Sequence, residues 1–457
     1  MNSQDTIAAI STAFGNAGIA VVRISGPKSL PILKKVFSSS KKPAFKPNKV
    51  YFGKIKEEGR IIDEVLAVFF KSPKTFTGED MAEINCHGGY ITAKKILNLL
   101  LKKGARHADP GEFTKRAYLN GRIDLSQAEA IADIIYAKSD KAQEVAQNQL
   151  EGHLSDKIKK ILKDIFFVYS NIAVDIDYPD EETPTLSKKE IAQKLKTPIR
   201  EISELLESAE IGTIYKEGFK VAIVGLPNVG KSSLLNALVR DARAIVTEIP
   251  GTTRDVLEDQ IELSGVLIRL FDTAGITDTE DMVEKEGISR SLTAIDKADL
   301  ILLVVENKKD VENFLAHLRP KAKEKLKQKK VILVRNKIDK KHKKEDFSKD
   351  QINYISFCEV SAKKAKNIKK LEKEIQKEIQ KADLGQDVLI TNIRQKKLLE
   401  NALKNLDQAI ILAKKNEPED KILIELDLAK KNLSSIIGEE VSANMLEDVF
   451  SRFCVGK

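Results

Sequence analysis

The sequence contains few cysteines, and their scarcity bears on the compartment and on the kind of site that the protein has. Cys86, Cys358 and Cys454 are the only three in 457 residues. An odd and sparse set argues against a disulfide framework and predicts a reducing compartment. The five histidines do not cluster with these cysteines at the spacing of zinc ligands. We therefore expect neither a disulfide-rich secreted domain nor a structural zinc site.

Long apolar segments are also lacking. No purely apolar run is longer than Leu300–Val305, which is far too short to span a bilayer, for which about 20 residues are needed. The first residues do not show the charged and then apolar pattern of a signal peptide. Together these absences predict a soluble cytoplasmic protein with no membrane contact.

Charge is abundant. Asp, Glu, Lys and Arg make up 32% of the residues, and the formal net charge is +9. Much of the excess is lysine in short mixed runs, such as Lys340–Lys344 and Lys363–Lys370. Such runs form solvated helix faces, or they contact an RNA backbone through a positive surface. Composition leaves both interpretations open.

The pattern of apolar residues divides the chain into four parts. Residues 1–120 mix strand-like runs with one helical run and predict an α+β domain. Residues 121–216 and 384–457 carry helical periodicity and predict the two parts of one helical domain. Residues 217–383 alternate strands with helices, as in a doubly wound α/β sheet. An α/β domain inserted into a helical domain is therefore expected.

Individual elements follow from the same periodicity. Helical spacing from Asp124 to about Asp175 is interrupted only by Gly152, and another helix is expected from Ser187 to Glu210. Apolar residues at 368, 371, 375 and 379 predict a closing amphipathic helix. The other predictions are the strands Ile19–Ile24, Val65–Phe70, Val266–Phe271, Asp299–Val305, Val331–Val334 and Tyr354–Val360, the helix Ile91–Leu101, the loop Tyr178–Thr185 and a helical break near Glu417 and Pro418.

A phosphate-binding loop is the most specific motif. Residues 225–232 read Gly-Leu-Pro-Asn-Val-Gly-Lys-Ser, follow an apolar run and open a helical pattern. Backbone N–H groups of such a loop cradle phosphates, Lys231 reaches the β- and γ-phosphates, and Ser232 ligates Mg²⁺. The helix N-terminus adds partial positive charge. The motif predicts a nucleotide site.

Two later motifs predict that the nucleotide is GTP. Asn336-Lys337-Ile338-Asp339 follows a strand, and the Asp339 carboxylate would accept hydrogen bonds from the paired donors of guanine. Adenine lacks that donor pair and would leave the carboxylate unpaired. Ser361-Ala362-Lys363 supports the base site by its position.

Two further motifs lie between these. Asp272-Thr273-Ala274-Gly275 follows a strand, either as an ordinary turn or with Asp272 holding Mg²⁺ through water and Gly275 sensing the γ-phosphate. Thr253, in the Gly-Thr-Thr-Arg-Asp run 251–255, is expected to complete the Mg²⁺ shell. All five motifs occur in the required order, which predicts a GTPase.

The groups that assist hydrolysis are less obvious. Ras-like enzymes orient water with a Gln after the Asp-x-x-Gly motif, but Ile276 stands there and cannot form a hydrogen bond. Glu284, on the segment that follows the motif, is the best nearby carboxylate, although it also fits a solvated helix residue. Asn228 is a candidate ligand for a monovalent cation, although it also fits a simple turn. Both alternatives stay open on the residues alone.

Motifs along the whole chain resemble the bacterial tRNA modification GTPases of the MnmE (TrmE) family. The G-domain loops agree, and so does the end Cys454-Val455-Gly456-Lys457. The first domain agrees in the runs 5–9, 22–26, 77–80, 87–89, 110–114 and 119–122. Arg122 and Thr277 are departures, since the family often has Lys at the first position and Arg at the second.

The resemblance implies partners and cofactors. The family forms a homodimer through a folate-binding-like N-terminal domain and works with the FAD protein MnmG as a heterotetramer. Together they install a carboxymethylaminomethyl-type group at carbon 5 of the wobble uridine of certain tRNAs. GTP, Mg²⁺, K⁺ and 5-formyl- or methylene-tetrahydrofolate are the implied cofactors. GTP and K⁺ bring the G domains of the dimer together and thereby activate hydrolysis.

The resemblance also implies residue roles, by position. Arg23, Glu83, Arg122 and Lys457 would bind the folate, Glu284 would position the water, and Cys454 would lie near the modification chemistry. K⁺ would be held by Asn228, Thr247, Ile249 and Thr252. The GTP site would comprise Asn228, Val229, Gly230, Lys231, Ser232, Ser233, Thr247, Glu248, Ile249, Pro250, Gly251, Thr252, Thr253, Asp272, Thr273, Ala274, Gly275, Asn336, Lys337, Asp339, Ser361, Ala362 and Lys363.

Alternatives remain at this point. A lone Cys near a chain end is often inert, because reactivity needs surroundings that lower the thiol pKa. An RNA- or ribosome-assembly switch without modification activity would share the G motifs. A folate-dependent one-carbon enzyme that its G domain merely regulates would share the first domain. The long N-terminal part and the Cys-x-Gly-Lys end favour the tRNA modification GTPase.

Overall fold

The computed structural model describes eleven stretches of the chain: residues 5–13, 15–40, 43–178, 186–241, 243–244, 258–272, 295–318, 320–340, 345–347, 352–381 and 388–457. The chain divides into two units. Unit 1 comprises Met1–Ala132, Gln149–Ala192 and Gln408–Lys457, and unit 2 comprises Asp133–Asn148 and Gln193–Asp407. The predicted domain boundaries near residues 120, 216 and 383 stay predictions.

Unit 1 contains a seven-stranded, mainly antiparallel sheet. Its spatial order is β3-β4-β5-β6-β2-β1-β7, and only the β1–β7 pair is parallel. The strands are β1 Ile7–Ile10, β2 Ala17–Ser25, β3 Phe37–Ser38, β4 Val50–Glu57, β5 Arg60–Phe70, β6 Met81–Gly88 and β7 Arg106–His107. The strands predicted at Ile19–Ile24 and Val65–Phe70 are confirmed, because each lies within an observed strand.

Alternation along these strands decides which face is covered. Ala20, Val22 and Ile24 of β2 are buried with apolar residues of helices α1 (Ser29–Val36) and α2 (Tyr90–Lys102), as expected for a period of two. On the opposite face, Phe113 of α3 (Glu112–Leu119) is buried with Met81. Helix α2 confirms the helix predicted at Ile91–Leu101. One face of the sheet therefore carries helices, and part of the other is capped by α3.

The helical segments are more divided than the sequence pattern predicts. The stretch 124–175 forms three helices, α4 Leu125–Tyr136, α5 Asp140–Leu150 and α6 His153–Asp177. The break at Gly152 is confirmed, whereas the break at 137–139 is new. There the Ser139 hydroxyl accepts a hydrogen bond from the Ala142 N–H and opens the next helix.

The helix predicted from Ser187 to Glu210 is also two helices, α7 Lys188–Lys194 and α8 Lys196–Glu217. Pro198 explains the interruption, because it has no N–H to donate to the carbonyl four residues earlier. Toward the end of the chain lie α13 Ile393–Lys414, α14 Glu419–Ile437 and α15 Ala443–Ser451. The predicted break near Glu417 and Pro418 is confirmed between α13 and α14.

Unit 2 contains a second seven-stranded sheet with the order β14-β13-β12-β8-β11-β10-β9. The first five strands in this order are parallel, and β10 and β9 are antiparallel additions. The strands are β8 Phe219–Val224, β9 Arg243–Ala244, β10 Glu258–Leu263, β11 Val266–Asp272, β12 Leu300–Val305, β13 Lys330–Arg335 and β14 Ser356–Glu359. This confirms the doubly wound sheet.

Helices cover both faces of this sheet. They are α9 Lys231–Asp241, α10 Lys308–His317, α11 Pro320–Gln328 and α12 Ile368–Gln380. Central strands such as Leu300–Val305 are buried at every residue, as expected when both faces are packed. The closing helix is confirmed as α12, while the strand expected at Tyr354–Val360 is shorter. Among the described residues, no helix is long and apolar enough to cross a membrane.

A buried charge network holds the beginning of unit 1 to α3. Arg116 donates to Asp5 Oδ1 at 2.5 Å, to Glu112 Oε1 at 2.9 Å and to Glu79 Oε2 at 3.1 Å. Arg106 donates to Glu112 through both terminal nitrogens. Burial alone would raise the pKa of Glu112, but hydrogen bonds from Arg106, Arg116 and the Asp109 N–H outweigh it and hold that pKa below its ordinary value.

The variant Glu112→Gln should lower the free energy of unfolding of the full chain by about 2–3 kcal/mol near neutral pH, because Arg106 and Arg116 each lose one carboxylate partner. The folded-state pKa of Glu112 is depressed, so its contribution is present above the unfolded pKa of about 4.3 and is lost as the pH falls through the folded pKa. The difference between variant and wild type in urea unfolding should therefore shrink as the pH falls below about 5.

Asp109→Asn is the matched control for this experiment. It removes an exposed carboxylate 3.6 Å from the same Arg106, and exposed pairs contribute about 0–1 kcal/mol. A destabilisation by Glu112→Gln that stays constant over this pH range would contradict the prediction.

Candidate functional site

The phosphate-binding loop lies where β8 ends and α9 begins. Asn228 and Gly230 both have left-handed backbone, with φ of 63° and 92°. A Cβ at Gly230 would lie 2.4 Å from Asn336 Nδ2, so only glycine permits this approach. The Lys231 ammonium donates to the carbonyls of Gly225 (3.1 Å) and Leu226 (2.9 Å). The Lys231 side chain thus lies over the phosphate-binding loop.

The Asn336 side chain joins three loops. Its Nδ2 donates to the carbonyls of Val229 at 3.0 Å and Gly230 at 3.3 Å, and its Oδ1 accepts from the Ala362 N–H at 3.0 Å. The side chain is buried, so each of these bonds is protected from water. The structure therefore brings the phosphate-binding loop, residues 336–339 and residues 361–363 to one edge of the sheet.

Asp339 is oriented by its neighbour in this arrangement. Its Oδ1 accepts a hydrogen bond from the Ser361 hydroxyl at 2.5 Å. That bond is the main reason why the pKa of Asp339 lies below its ordinary value. The carboxylate is therefore charged at neutral pH and able to accept from a base that offers donors.

Lys337 crosses from this base loop to the phosphate-binding loop. Its ammonium donates to the Asn228 carbonyl and, at 2.7 Å, to Glu306 Oε2. Lys337 has a left-handed φ of 62°. Glu306, the residue after β12, had no place in the sequence-based site. The sequence signal that could have identified it is an acidic residue immediately after a buried strand.

Several predicted site residues lie outside the described residues, and their roles stay predictions. They are Thr247, Glu248, Ile249, Pro250, Gly251, Thr252, Thr253, Thr273, Ala274, Gly275 and Glu284. Asp272 is described only in its backbone, as the last residue of β11. Ser232 and Ser233 lie in the first turn of α9, and Lys363 follows Ala362.

A second site forms in unit 1, where the last residues of the chain meet the loop before α3. Pro110 and Val455 form an isolated antiparallel bridge. The Gly111 N–H donates to the Cys454 carbonyl at 3.3 Å, and the Phe113 N–H donates to the Lys457 carbonyl at 3.2 Å. Main-chain hydrogen bonds therefore attach the Cys-x-Gly-Lys segment to the start of α3 and the loop before it.

Gly456 permits the close approach of this segment to β1. Its φ is 96°, and a Cβ there would lie 2.4 Å from the Ile10 carbonyl oxygen. The Gly456 carbonyl accepts from the Ser11 hydroxyl at 3.0 Å. Any larger residue would clash with backbone rather than with a movable side chain.

A cavity of about 500 Å³ opens in the same unit, beside Glu83 and Phe76. Its lining is mixed apolar and charged: Phe70, Pro73, Lys74, Thr75, Phe76, Met81, Glu83 and Arg122. Arg23 Nε donates to Glu83 Oε1 at 2.9 Å, and the Arg23 guanidinium lies over the rings of Phe76 and Phe113. The Arg122 guanidinium also lies over the Phe76 ring, 5.0 Å from its centre, and donates to the Phe76 carbonyl at 2.6 Å.

The charges of this cluster act on Lys457. Burial, followed by the charge of Arg23, lowers the pKa of the Lys457 ammonium, while Glu83 and Cys454 act in the opposite direction. The structure thus brings together Arg23, Glu83, Lys457 and Cys454, and places Arg122 on the adjacent cavity wall. Cys454 is exposed. The sequence analysis did not assign the rings of Phe76 and Phe113 to the site, although Phe76 adjoins the motif at 77–80 and Phe113 lies within the motif at 110–114.

The unit 2 site defines the class of protein. A phosphate-binding loop that opens a helix is joined through Asn336 to a guanine-type Asn-Lys-x-Asp loop, at the carboxyl edge of a doubly wound sheet. This is a P-loop GTPase, as the motif order predicts.

Comparisons with known proteins identify the family. Residues 6–122 match the model described as GTP-binding protein TrmE N-terminus, and residues 125–454 match that of the MnmE helical domain. Proteins named tRNA modification GTPase MnmE are similar throughout. That of Clostridioides difficile is 43% identical over 99% of each chain. That of Thermotoga maritima is 43% identical over 99% of this chain and 100% of its own. That of Thermoanaerobacter pseudethanolicus is 44% identical over 99% of each. The chain belongs to the MnmE family of tRNA modification GTPases.

Proposed function

We propose that this GTPase acts with the FAD-dependent protein MnmG to add a carboxymethylaminomethyl-type group at carbon 5 of the wobble uridine of certain tRNAs. The observation that carries the proposal is the attachment of the Cys-x-Gly-Lys segment beside the Arg23–Glu83 pair, in a chain that also holds a guanine-nucleotide site. GTP hydrolysis then serves to control conformation. The predicted four-part division of the chain is retained in this proposal.

The unit 1 cavity fits a reduced folate, such as 5-formyl- or methylene-tetrahydrofolate. Its volume of about 500 Å³ lies within the range of small-molecule sites. The ring of Phe76 offers an apolar face for a pterin, and the Glu83 carboxylate accepts hydrogen bonds from ring N–H donors. Arg122, with Arg23 and Lys457, supplies positive charge for the glutamyl carboxylates. When bound, the folate supplies the one-carbon unit.

The residues of the unit 2 site fit GTP with Mg²⁺ and K⁺. Asp339 accepts from guanine, and Lys231 and the backbone of the phosphate-binding loop hold the phosphates. Oxygen ligands suit Mg²⁺, and Ser232, Thr253 and Asp272 (through water) would provide them. Asn228, Thr247, Ile249 and Thr252 would hold K⁺, which supplies positive charge where other GTPases use an arginine finger. Glu284 would position water, because Ile276 cannot.

An exposed apolar surface on the unit 1 sheet supports a homodimer. Phe52 faces Leu66 across the β4–β5 pair, and Leu66 faces Asn85 across the β5–β6 pair. Phe52 is 66% exposed, Val50 56% and Leu66 43%. A contiguous apolar face of this kind is typical of an interaction surface. A second copy of the chain is the proposed occupant, with MnmG and tRNA as the further partners.

We also propose that the protein works in the cytoplasm. The support is its tRNA substrate, together with the cysteines. Cys86 and Cys358 are buried and Cys454 is exposed, and none of the three forms a disulfide. Cysteines that form no disulfide are typical of reducing compartments.

Nucleoside mass spectrometry of tRNA tests the function directly. A deletion strain should lack the modified wobble uridine, and the wild-type gene should restore it. Cys454→Ser should fail to restore it while GTP hydrolysis stays within about twofold of wild type, because Cys454 lies in unit 1 and the GTP site lies in unit 2. Unchanged wobble uridines in the deletion strain would instead support an RNA-assembly switch.

Folate binding is tested with the full chain and 5-formyltetrahydrofolate. Glu83→Gln should weaken binding about tenfold or more in calorimetry, because the variant loses a charged acceptor and leaves Arg23 unpaired. Glu64→Gln is the control, since it removes a carboxylate from the exposed Lys54 pair on the neighbouring strand. Equal affinities of both variants and wild type would exclude the cavity as the folate site.

Potassium activation is tested by GTP turnover at equal ionic strength. Turnover in K⁺ should exceed that in Na⁺ by about tenfold or more, because the smaller ion does not suit a carbonyl and amide ligand set built for K⁺. Asn228→Ala should remove this difference. Equal rates in both salts would eliminate the potassium mechanism.

A further inference from the structure

Glu306 stands where the central strand β12 ends, and its main chain is firmly held. Its N–H donates to Asp310 Oδ2 at 2.7 Å, and the Asn307 N–H donates to the same carboxylate at 3.1 Å. The Asn307 side chain in turn accepts from the Asp310 N–H and completes a capping box that starts α10. Such reciprocal caps fix the direction in which a chain leaves a strand. Glu306 is therefore presented at a defined position.

The side chain of Glu306 pairs with two lysines of the base loop. Its Oε2 accepts from Lys337 Nζ at 2.7 Å, and its Oε1 accepts from Lys340 Nζ at 3.0 Å. Lys337 is about one-quarter exposed, whereas Lys340 is more than half exposed. The hydrogen bond from Lys337 is the main reason why the pKa of Glu306 lies below its ordinary value. Glu306 is thus charged at neutral pH, and Lys337 is its more protected partner.

Lys337 bridges Glu306 and the phosphate-binding loop. The same ammonium donates to the Asn228 carbonyl and to Glu306. A lysine side chain is long and loses much rotamer freedom when it is fixed, so two acceptors are needed to hold it in one conformation. Without the carboxylate, Lys337 and Lys340 would be neighbouring cations that repel each other. The carboxylate therefore keeps the stem of Lys337 in place between the two loops.

We propose that Glu306 is a positioning residue of the guanine site, which holds Lys337 in its binding conformation before the nucleotide arrives. The inference rests on the proposed place of Lys337 in that site. Glu306 acts through Lys337 and reaches the phosphate-binding loop through it. Its effect belongs to nucleotide affinity, because preorganised contacts reduce the entropy lost on binding. The hydrolytic step uses other groups.

The variant Glu306→Gln keeps the side-chain volume and removes the charge. It should weaken GTP and GDP binding by about 5- to 20-fold, mainly through faster dissociation, as expected for a charge-assisted hydrogen bond that is partly exposed. At saturating GTP, kcat should stay within about twofold of wild type. The thermal midpoint of the nucleotide-free protein should be unchanged, and Glu306→Asp should recover part of the affinity.

A double-mutant cycle separates positioning from a general structural effect. In a Lys337→Met background, Glu306→Gln should cause no further loss of affinity, because the two residues act as one unit. Lys340→Met is the matched control, since it removes the exposed partner and should change affinity by less than about twofold. Full loss by Glu306→Gln in the Lys337→Met background would overturn the proposal, as would unchanged affinity in the wild-type background.

The cycle also distinguishes a wrong place of Lys337 from a wrong role of Glu306. If Lys337→Met leaves GTP affinity unchanged, the proposed place of Lys337 in the guanine site is wrong. If Lys337→Met weakens affinity and Glu306→Gln does not, the place of Lys337 in the site is supported and only the proposed role of Glu306 is wrong. A lowered thermal midpoint of Glu306→Gln, with kcat and affinity falling together, would assign the residue to folding instead.

Discussion

The hydrogen bonds of the buried Asn336 side chain are the constraint on which the nucleotide site depends. One amide group binds the carbonyls of Val229 and Gly230 and the N–H of Ala362. The three loops leave different strands, and nothing in their local sequences fixes their mutual distances. Because the parallel strands end at one edge, a single short side chain can span all three. Gly230 completes this arrangement, since any Cβ there would occupy the place of the Asn336 amide.

In unit 1, main-chain hydrogen bonds and charge pairs hold distant parts of the chain together. The C-terminal segment is held by N–H groups of Gly111 and Phe113 and by the Ser11 hydroxyl. Beside it, Arg23 is paired with Glu83 and enclosed by two aromatic rings. Glu83 lines a partly apolar cavity, where electrostatic interactions are stronger than in water. The two units thus use unlike means to hold their site residues in place.

The sequence predicts the elements and the motif residues better than it predicts contacts. Alternating apolar runs and the Gly-x-x-x-x-Gly-Lys-Ser pattern are local, so the doubly wound sheet and its loops follow from them. The break at 137–139 contains neither Gly nor Pro, and a serine cap decides it. The Arg116 network joins residues from three distant parts of unit 1, and Glu306 meets Lys337 only because β12 and β13 are neighbours. Such pairings depend on strand register, which residue patterns do not specify. Arg23, Glu83 and Lys457 were predicted only because their motifs resemble those of a known family.

The attachment of the Cys-x-Gly-Lys segment has a consequence for the order of assembly. Strand β1 and the loop before α3 emerge early in synthesis, whereas Gly456 and Lys457 are added after the three loops of the nucleotide site and all the helices described above. During that interval, the N–H groups of Gly111 and Phe113 and the Ser11 hydroxyl have no protein partner from the segment and are hydrated. The Cys-x-Gly-Lys segment is therefore attached last, and the unit 1 site is completed only after the nucleotide site has been synthesised.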